Sequence, residues 1–110
     1  FGRRRPCPDV KSSNFMVRSG AERQAVNMPL QGTAADLMKL AMIKLADSLP
    51  KLNGEAAMIL QIHDELIVEC DEALVDDVKA LLAKEMIGVA KLPVPIEVGT
   101  SVGKSWGTLE

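Results

Sequence analysis

Met58-Ile59-Leu60-Gln61-Ile62-His63-Asp64-Glu65-Leu66-Ile67-Val68-Glu69-Cys70 decides the fold class. Met58, Leu60 and Ile62 alternate with Ile59, Gln61 and His63, and Leu66, Val68 and Cys70 alternate with Glu65, Ile67 and Glu69. A period of two is the mark of a half-buried strand, and the polar break at His63-Asp64 is where a two-residue hairpin turn falls. That turn lacks the glycine favoured by primed turns, so local propensity does not explain it. A turn kept against propensity points to chemistry.

Helices flank the hairpin. Upstream, Phe15 to Asn27 reads as helical, and Pro29 is expected to break or kink it. Gly32-Thr33 then restarts a helix, with Thr33 as N-cap and Asp36 in a weak capping-box position. Leu37, Met38, Leu40, Ala41, Met42, Ile43, Leu45 and Leu49 cover most of its circumference, the pattern of a buried helix, and Pro50 and Asn53-Gly54 end it. Downstream, Leu74, Val78, Leu81, Leu82 and Met86 form an apolar stripe on a helix from Glu72 to Ile87, opposite Asp76, Asp77, Lys79 and Lys84 and closed by Gly88. Val94 to Val98 reads as a short edge strand that tolerates Pro95. The order helix, helix, hairpin, helix, strand is an α+β layer: an antiparallel hairpin plus an edge strand packed against helices. Three strands are few for a free-standing sheet, so strand partners outside the chain, or an uncovered edge, are expected.

At 110 residues, 47% hydrophobic and 25% charged, the chain is one soluble-globular domain, with residues 1–14 a basic loop and 15–110 the α+β body. No apolar run approaches the ~20 residues that span a bilayer, and no signal peptide opens the chain. A start at Phe1 suggests a processed chain or a piece of something longer. Cys7 and Cys70 belong to no CxxC pair, and with a single histidine a Cys/His zinc site is effectively excluded, so two reduced thiols in a cytoplasmic protein are expected.

The net charge of −2 conceals a division. Residues 1–31 hold six basic side chains, Arg3, Arg4, Arg5, Lys11, Arg18 and Arg23, against Asp9 and Glu22, and every arginine of the chain lies there. The remainder is acidic. A basic arm on an acidic body fits a polyanion on one side and cations on the other, and equally a solvated basic tail.

Two constellations carry chemistry. Carboxylates at the tight turn Gln61–Leu66 can reach a divalent cation, and Mg²⁺ takes oxygen ligands while keeping waters and substrate phosphates. Neighbouring strand residues point to opposite faces, so Asp64 is expected as the direct ligand and Glu65 as a secondary contributor. The same residues also fit a solvated turn with two ordinary acids. Arg23, Asn27 and Gln31, four residues apart, share a helix face if the kink at Pro29 permits. Their donors suit the minor-groove acceptors common to every base pair, and equally an ordinary polar face. Arg3-Arg4-Arg5 reads as a phosphate contact or a solvated tail.

Together the motifs resemble family A DNA polymerases, of the bacterial DNA polymerase I type. They are Phe1-Gly2-Arg3-Arg4-Arg5, Arg18-x-x-Ala21-Glu22-Arg23, Asn27-x-Pro29-x-Gln31-Gly32-Thr33-Ala34-Ala35-Asp36, Gln61-x-His63-Asp64-Glu65-Leu66 and, near the C-terminus, Gly103-x-x-Trp106. The resemblance implies the C-terminal part of the palm. It also implies template-directed addition of deoxynucleotides to a primer 3′ end, in DNA replication and repair. Asp64 would help bind two Mg²⁺ ions, Glu65 would assist, and His63 would lie near the primer end. Arg23, Asn27 and Gln31 would contact the minor groove of template-primer DNA. Deoxynucleoside triphosphates and the remaining palm, fingers and thumb would be partners, with no membrane involved. The family's Asp-x-Ser-Gln-x-Glu motif and its triphosphate-binding fingers helix have no counterpart here, so the 110 residues alone are expected not to extend primers. Cys7 and Gly20 look like local variation. The rival reading is a non-catalytic nucleic-acid or protein interaction module derived from the palm; a metal nuclease using Asp64 and Glu65 is less favoured because one carboxylate turn gives no second clamp.

Overall fold

A computed structural model describes residues 1–52 and 54–109. The chain divides into two compact units, Phe1–Asp36 and Leu37–Glu110.

In the first unit an extended arm and a 3₁₀ turn, Pro8–Lys11, lead into helix α1 (Phe15–Ser48). Asn14 starts it. Its Oδ1 accepts from the backbone N–H groups of Met16 at 3.0 Å and Val17 at 3.3 Å, satisfying two donors that a helix start leaves open. Arg18 lies over the Phe15 ring, 5.6 Å from its centroid.

Of the break or kink expected at Pro29, the break does not occur, nor does the restart at Gly32-Thr33: α1 is continuous over 34 residues with Pro29 inside it. An interior proline removes one ladder hydrogen bond and crowds the preceding turn, at a cost of about 3 kcal/mol. A new start at Thr33 would leave several donors open and recover only about 1 kcal/mol through its cap. Asp36 is accordingly no capping-box residue; its carboxylate receives the Arg3 guanidinium.

In the second unit, the end of α1 buries Met38, Ala41, Leu45 and Leu49, spaced three, four and four residues apart as one seam. Leu74 and Val78 are the other buried side chains among the described residues of this unit. The helix expected to be covered all round is covered on that seam only: Ile43 is 61% exposed and Leu40 36%. Among the described residues, this chain supplies nothing to cover the other apolar face. A short 3₁₀ turn, Leu49–Lys51, follows α1, and Asn53 of the expected stop lies outside the described residues.

Strands β1 (Ala56–Ile62) and β2 (Glu65–Cys70) form the antiparallel hairpin. Its register runs Ala56↔Cys70, Ala57↔Glu69 and Met58↔Val68, then slips to Leu60↔Ile67, Gln61↔Leu66 and Ile62↔Glu65. Ile59 is the extra residue of a β-bulge, so unbroken alternation fails there and Leu60, expected to face inward with Met58 and Ile62, is exposed. The open end is clamped: Asp71 N–H donates to the Glu55 carbonyl at 3.0 Å, and Glu55 N–H donates to Asp71 Oδ2 at 3.1 Å. A 3₁₀ turn, Glu72–Leu74, enters helix α2 (Val75–Ile87), which ends as expected at Gly88. Lys44 of α1 donates to the Gly88 carbonyl at 2.9 Å, satisfying an acceptor at the C-terminal end of α2.

The edge strand expected at Val94–Val98 is not formed; the sheet among the described residues is β1 and β2 alone. Pro93 and Pro95 both lack an N–H, and residues two apart donate toward the same edge, so this segment loses successive donors of a ladder. The α+β class stands, with the hairpin packed against helices as in a partial palm. Among the described residues no helix is long and apolar enough to cross a membrane.

Candidate functional site

The hairpin tip is open to solvent. His63 and Asp64 form the two-residue turn between the Ile62↔Glu65 pair, and His63, Asp64 and Glu65 are all exposed. His63 has φ 50°, the one positive value at a non-glycine position among the described residues. A side chain in this left-handed region is strained by roughly 1–2 kcal/mol, and the missing glycine has this structural consequence. Gln61 offers a compensation that its place in the motif did not reveal: its side-chain amide donates to the His63 carbonyl at 3.3 Å.

Asp64 and Glu65 are neighbours at this tip, but no group of three or more His, Cys, Asp or Glu side chains among the described residues could hold a metal ion. The donor chemistry suits part of an oxygen shell for a hard cation, with the other ligands to come from elsewhere.

Arg23, Asn27 and Gln31 lie on α1, all exposed. Because the helix continues through Pro29, successive members are offset by only about 40° around its axis, so the three share one face. Among the described residues, none of the three side chains makes a hydrogen bond or ion pair within the chain.

The arm arginines differ from one another. Arg3 forms a two-pronged contact with Asp36, its Nε 3.0 Å from both carboxylate oxygens while a terminal guanidinium nitrogen also meets Oδ1. These hydrogen bonds and the opposite charge raise the Arg3 pKa above its already high ordinary value. The partners are 33 positions apart, and no sequence spacing announces them. Arg5 approaches the Met28 sulfur at 3.5 Å. Arg4 is exposed and, among the described residues, has no such partner.

Comparison with known proteins identifies the framework. The model of DNA polymerase family A matches residues 1–108. The chain belongs to DNA polymerase family A. It is 50% identical over 106 residues to the thermostable DNA polymerase I of Thermus filiformis, covering 96% of this chain and 12% of that protein. It is 42% identical over 104 residues to DNA polymerase I of Lactococcus lactis subsp. cremoris, covering 94% and 12%. Among solved structures it is similar to the POL domain of Pol1 from M. smegmatis, in complex with DNA primer-template and dNTP, with TM-score 0.81 and 41% identity over 87% of this chain and 17% of that one. The family A chain described here thus spans about an eighth of the length of the curated relatives it matches. It matches the C-terminal palm region.

Proposed function

We propose that the 110 residues work together as the C-terminal palm portion of a cytoplasmic DNA-directed DNA polymerase that adds deoxynucleotides to a primer 3′ end. The observation that carries this reading is the exposed, strained Gln61–Leu66 turn, which presents two carboxylates at a position where family A membership gives them a task. The M. smegmatis relative, bound to primer-template and dNTP, supports those partners.

In this reading Asp64 is a direct ligand of Mg²⁺, Glu65 supports it, and His63 lies beside the primer terminus. Mg²⁺ held there would supply charge stabilisation for phosphoryl transfer. Asp64 and Glu65 bring negative charge to an exposed bend with no cation among the described residues paired to it, which leaves them available to a hard cation. Arg23, Asn27 and Gln31 donate to minor-groove acceptors shared by all base pairs, so they test the shape of a pair without reading sequence. Arg4 and Arg5 are the arm's candidates for backbone phosphates. The segment acts with the remainder of the palm, the fingers and the thumb, and alone it does not extend primers.

The test is Asp64→Ala in the full-length polymerase. Primer extension should fall by on the order of 10²–10³ or more, the scale seen when a preorganised electrostatic stabiliser is removed, while template-primer affinity stays within a few-fold. Near-normal turnover would reject the metal role.

A further inference from the structure

Asp36 lies nine positions after Asn27, which is two and a half turns of an α-helix. The carboxylate that clasps Arg3 therefore stands on the side of α1 opposite the Arg23, Asn27 and Gln31 face. The arm's contacts with the helix also straddle Pro29. Arg5 reaches Met28 before it, Arg3 reaches Asp36 after it, and a Cβ on Gly32 would lie 3.6 Å from Arg3 Cδ. Ala25, Met28, Pro29, Gly32 and Thr33 line one side of a cleft of about 470 Å³ whose other side is the arm.

Pro29 is the weak point of this helix, because Ala25 loses its ladder donor there. Arg23 and Asn27 precede it and Gln31 follows it, so any bend at the proline would carry Gln31 out of line with the other two. We infer that the Arg3–Asp36 pair is a splint across Pro29, holding the arm along the back of α1 so that Gln31 stays in register with Arg23 and Asn27. Arg3 is then a positioning residue and not a phosphate ligand. The inference rests on the proposed groove-contacting role of that face for its functional meaning, but the splint itself is a property of the helix.

Hydrogen exchange of the full-length polymerase without DNA tests the splint directly. Arg3→Ala and the isosteric Asp36→Asn should each speed exchange of the Leu30–Ala34 amides by about tenfold or more. In a Pro29→Ala background, where the ladder is complete, the same changes should have little effect. In primer extension Arg3→Ala should add nothing to Gln31→Ala, yet add to Arg23→Ala. The salt dependence of template-primer binding should keep its slope in Arg3→Ala. Unchanged exchange in both single variants would overturn the splint, and so would a slope reduced by about one, the signature of a lost phosphate contact. Asn27→Ala with unaltered use of matched and mismatched primers would reject the groove-contacting reading instead, a result the DNA-free exchange does not depend on.

Discussion

The side-chain amide of Gln61 donates to the backbone carbonyl of His63 at 3.3 Å, bracing from within the hairpin the turn residue that precedes Asp64. A histidine with φ 50° is held where glycine would rest without strain. His63→Gly should therefore stabilise the fold by about 1 kcal/mol while impairing primer use, because it relieves the backbone and removes the imidazole together. Denaturant midpoints and extension rates on the same preparations separate the two effects; an unmoved or lowered midpoint would mean the turn stores no strain.

Gly54 poses the opposite case. Its φ is 141°, and a Cβ there would stand 2.7 Å from Leu74 Cδ1. Leu74 is buried, so it has little room to retreat. Gly54→Ala should cost about 2 kcal/mol or more, through backbone strain and overpacking together, and lower the thermal midpoint by several degrees. A melting curve matching the unsubstituted protein would contradict the packing described for this turn.

If the α1 face contacts the groove as proposed, Asn27→Ala and Gln31→Ala should each weaken template-primer binding by about 1 kcal/mol and alter extension from mispaired more than from matched ends. Arg4→Ala should instead weaken binding uniformly across sequences and reduce the salt slope by about one. Titrations of matched and mismatched template-primers at several salt concentrations distinguish the two behaviours. Identical profiles for Asn27→Ala and Arg4→Ala would dissolve the division between groove and phosphate contacts.

Cys70 offers a pH prediction. Burial first, and the neighbouring Asp71 charge second, raise its pKa above the ordinary thiol value. The folded state thus favours the neutral thiol. Its contribution to stability is present below the unfolded pKa and declines as pH rises through the folded one. Alkylation of Cys70 should reach half its maximal rate at a higher pH in the native protein than in urea. An equal or lower midpoint in the native protein would remove the shift.

The hairpin and α2 were legible because their apolar residues keep one period, two in the hairpin and near 3.6 in α2. Pro29 did not end the helix because the local cost of a breaker is weighed against the open backbone groups that a new helix end would leave. Val94–Val98 misled because its residues suit a strand, but a ladder needs donors, and two prolines remove them. Ile59 gave no warning of a bulge, since it and Leu60 are both apolar and either could have been the inward one. Asp64 and Glu65 stand out in the sequence through their motif, and their accessibility follows from the turn. Arg3 and Asp36 lie too far apart in sequence for any local pattern to join them.

The bulge at Ile59 divides the β1–β2 ladder into two separately phased stretches. Below it lie the pairs Ala56↔Cys70 to Met58↔Val68; above it, Leu60↔Ile67 to Ile62↔Glu65 lead to the tip. Deleting Ile59 would fuse the stretches into one ladder with Leu60↔Ile67, Gln61↔Leu66 and Ile62↔Glu65 still paired, so the amide that braces the bend would keep its face while the extra local twist of the bulge was lost. One apolar residue with no chemistry of its own thereby adds twist to the strand that leads to the acids.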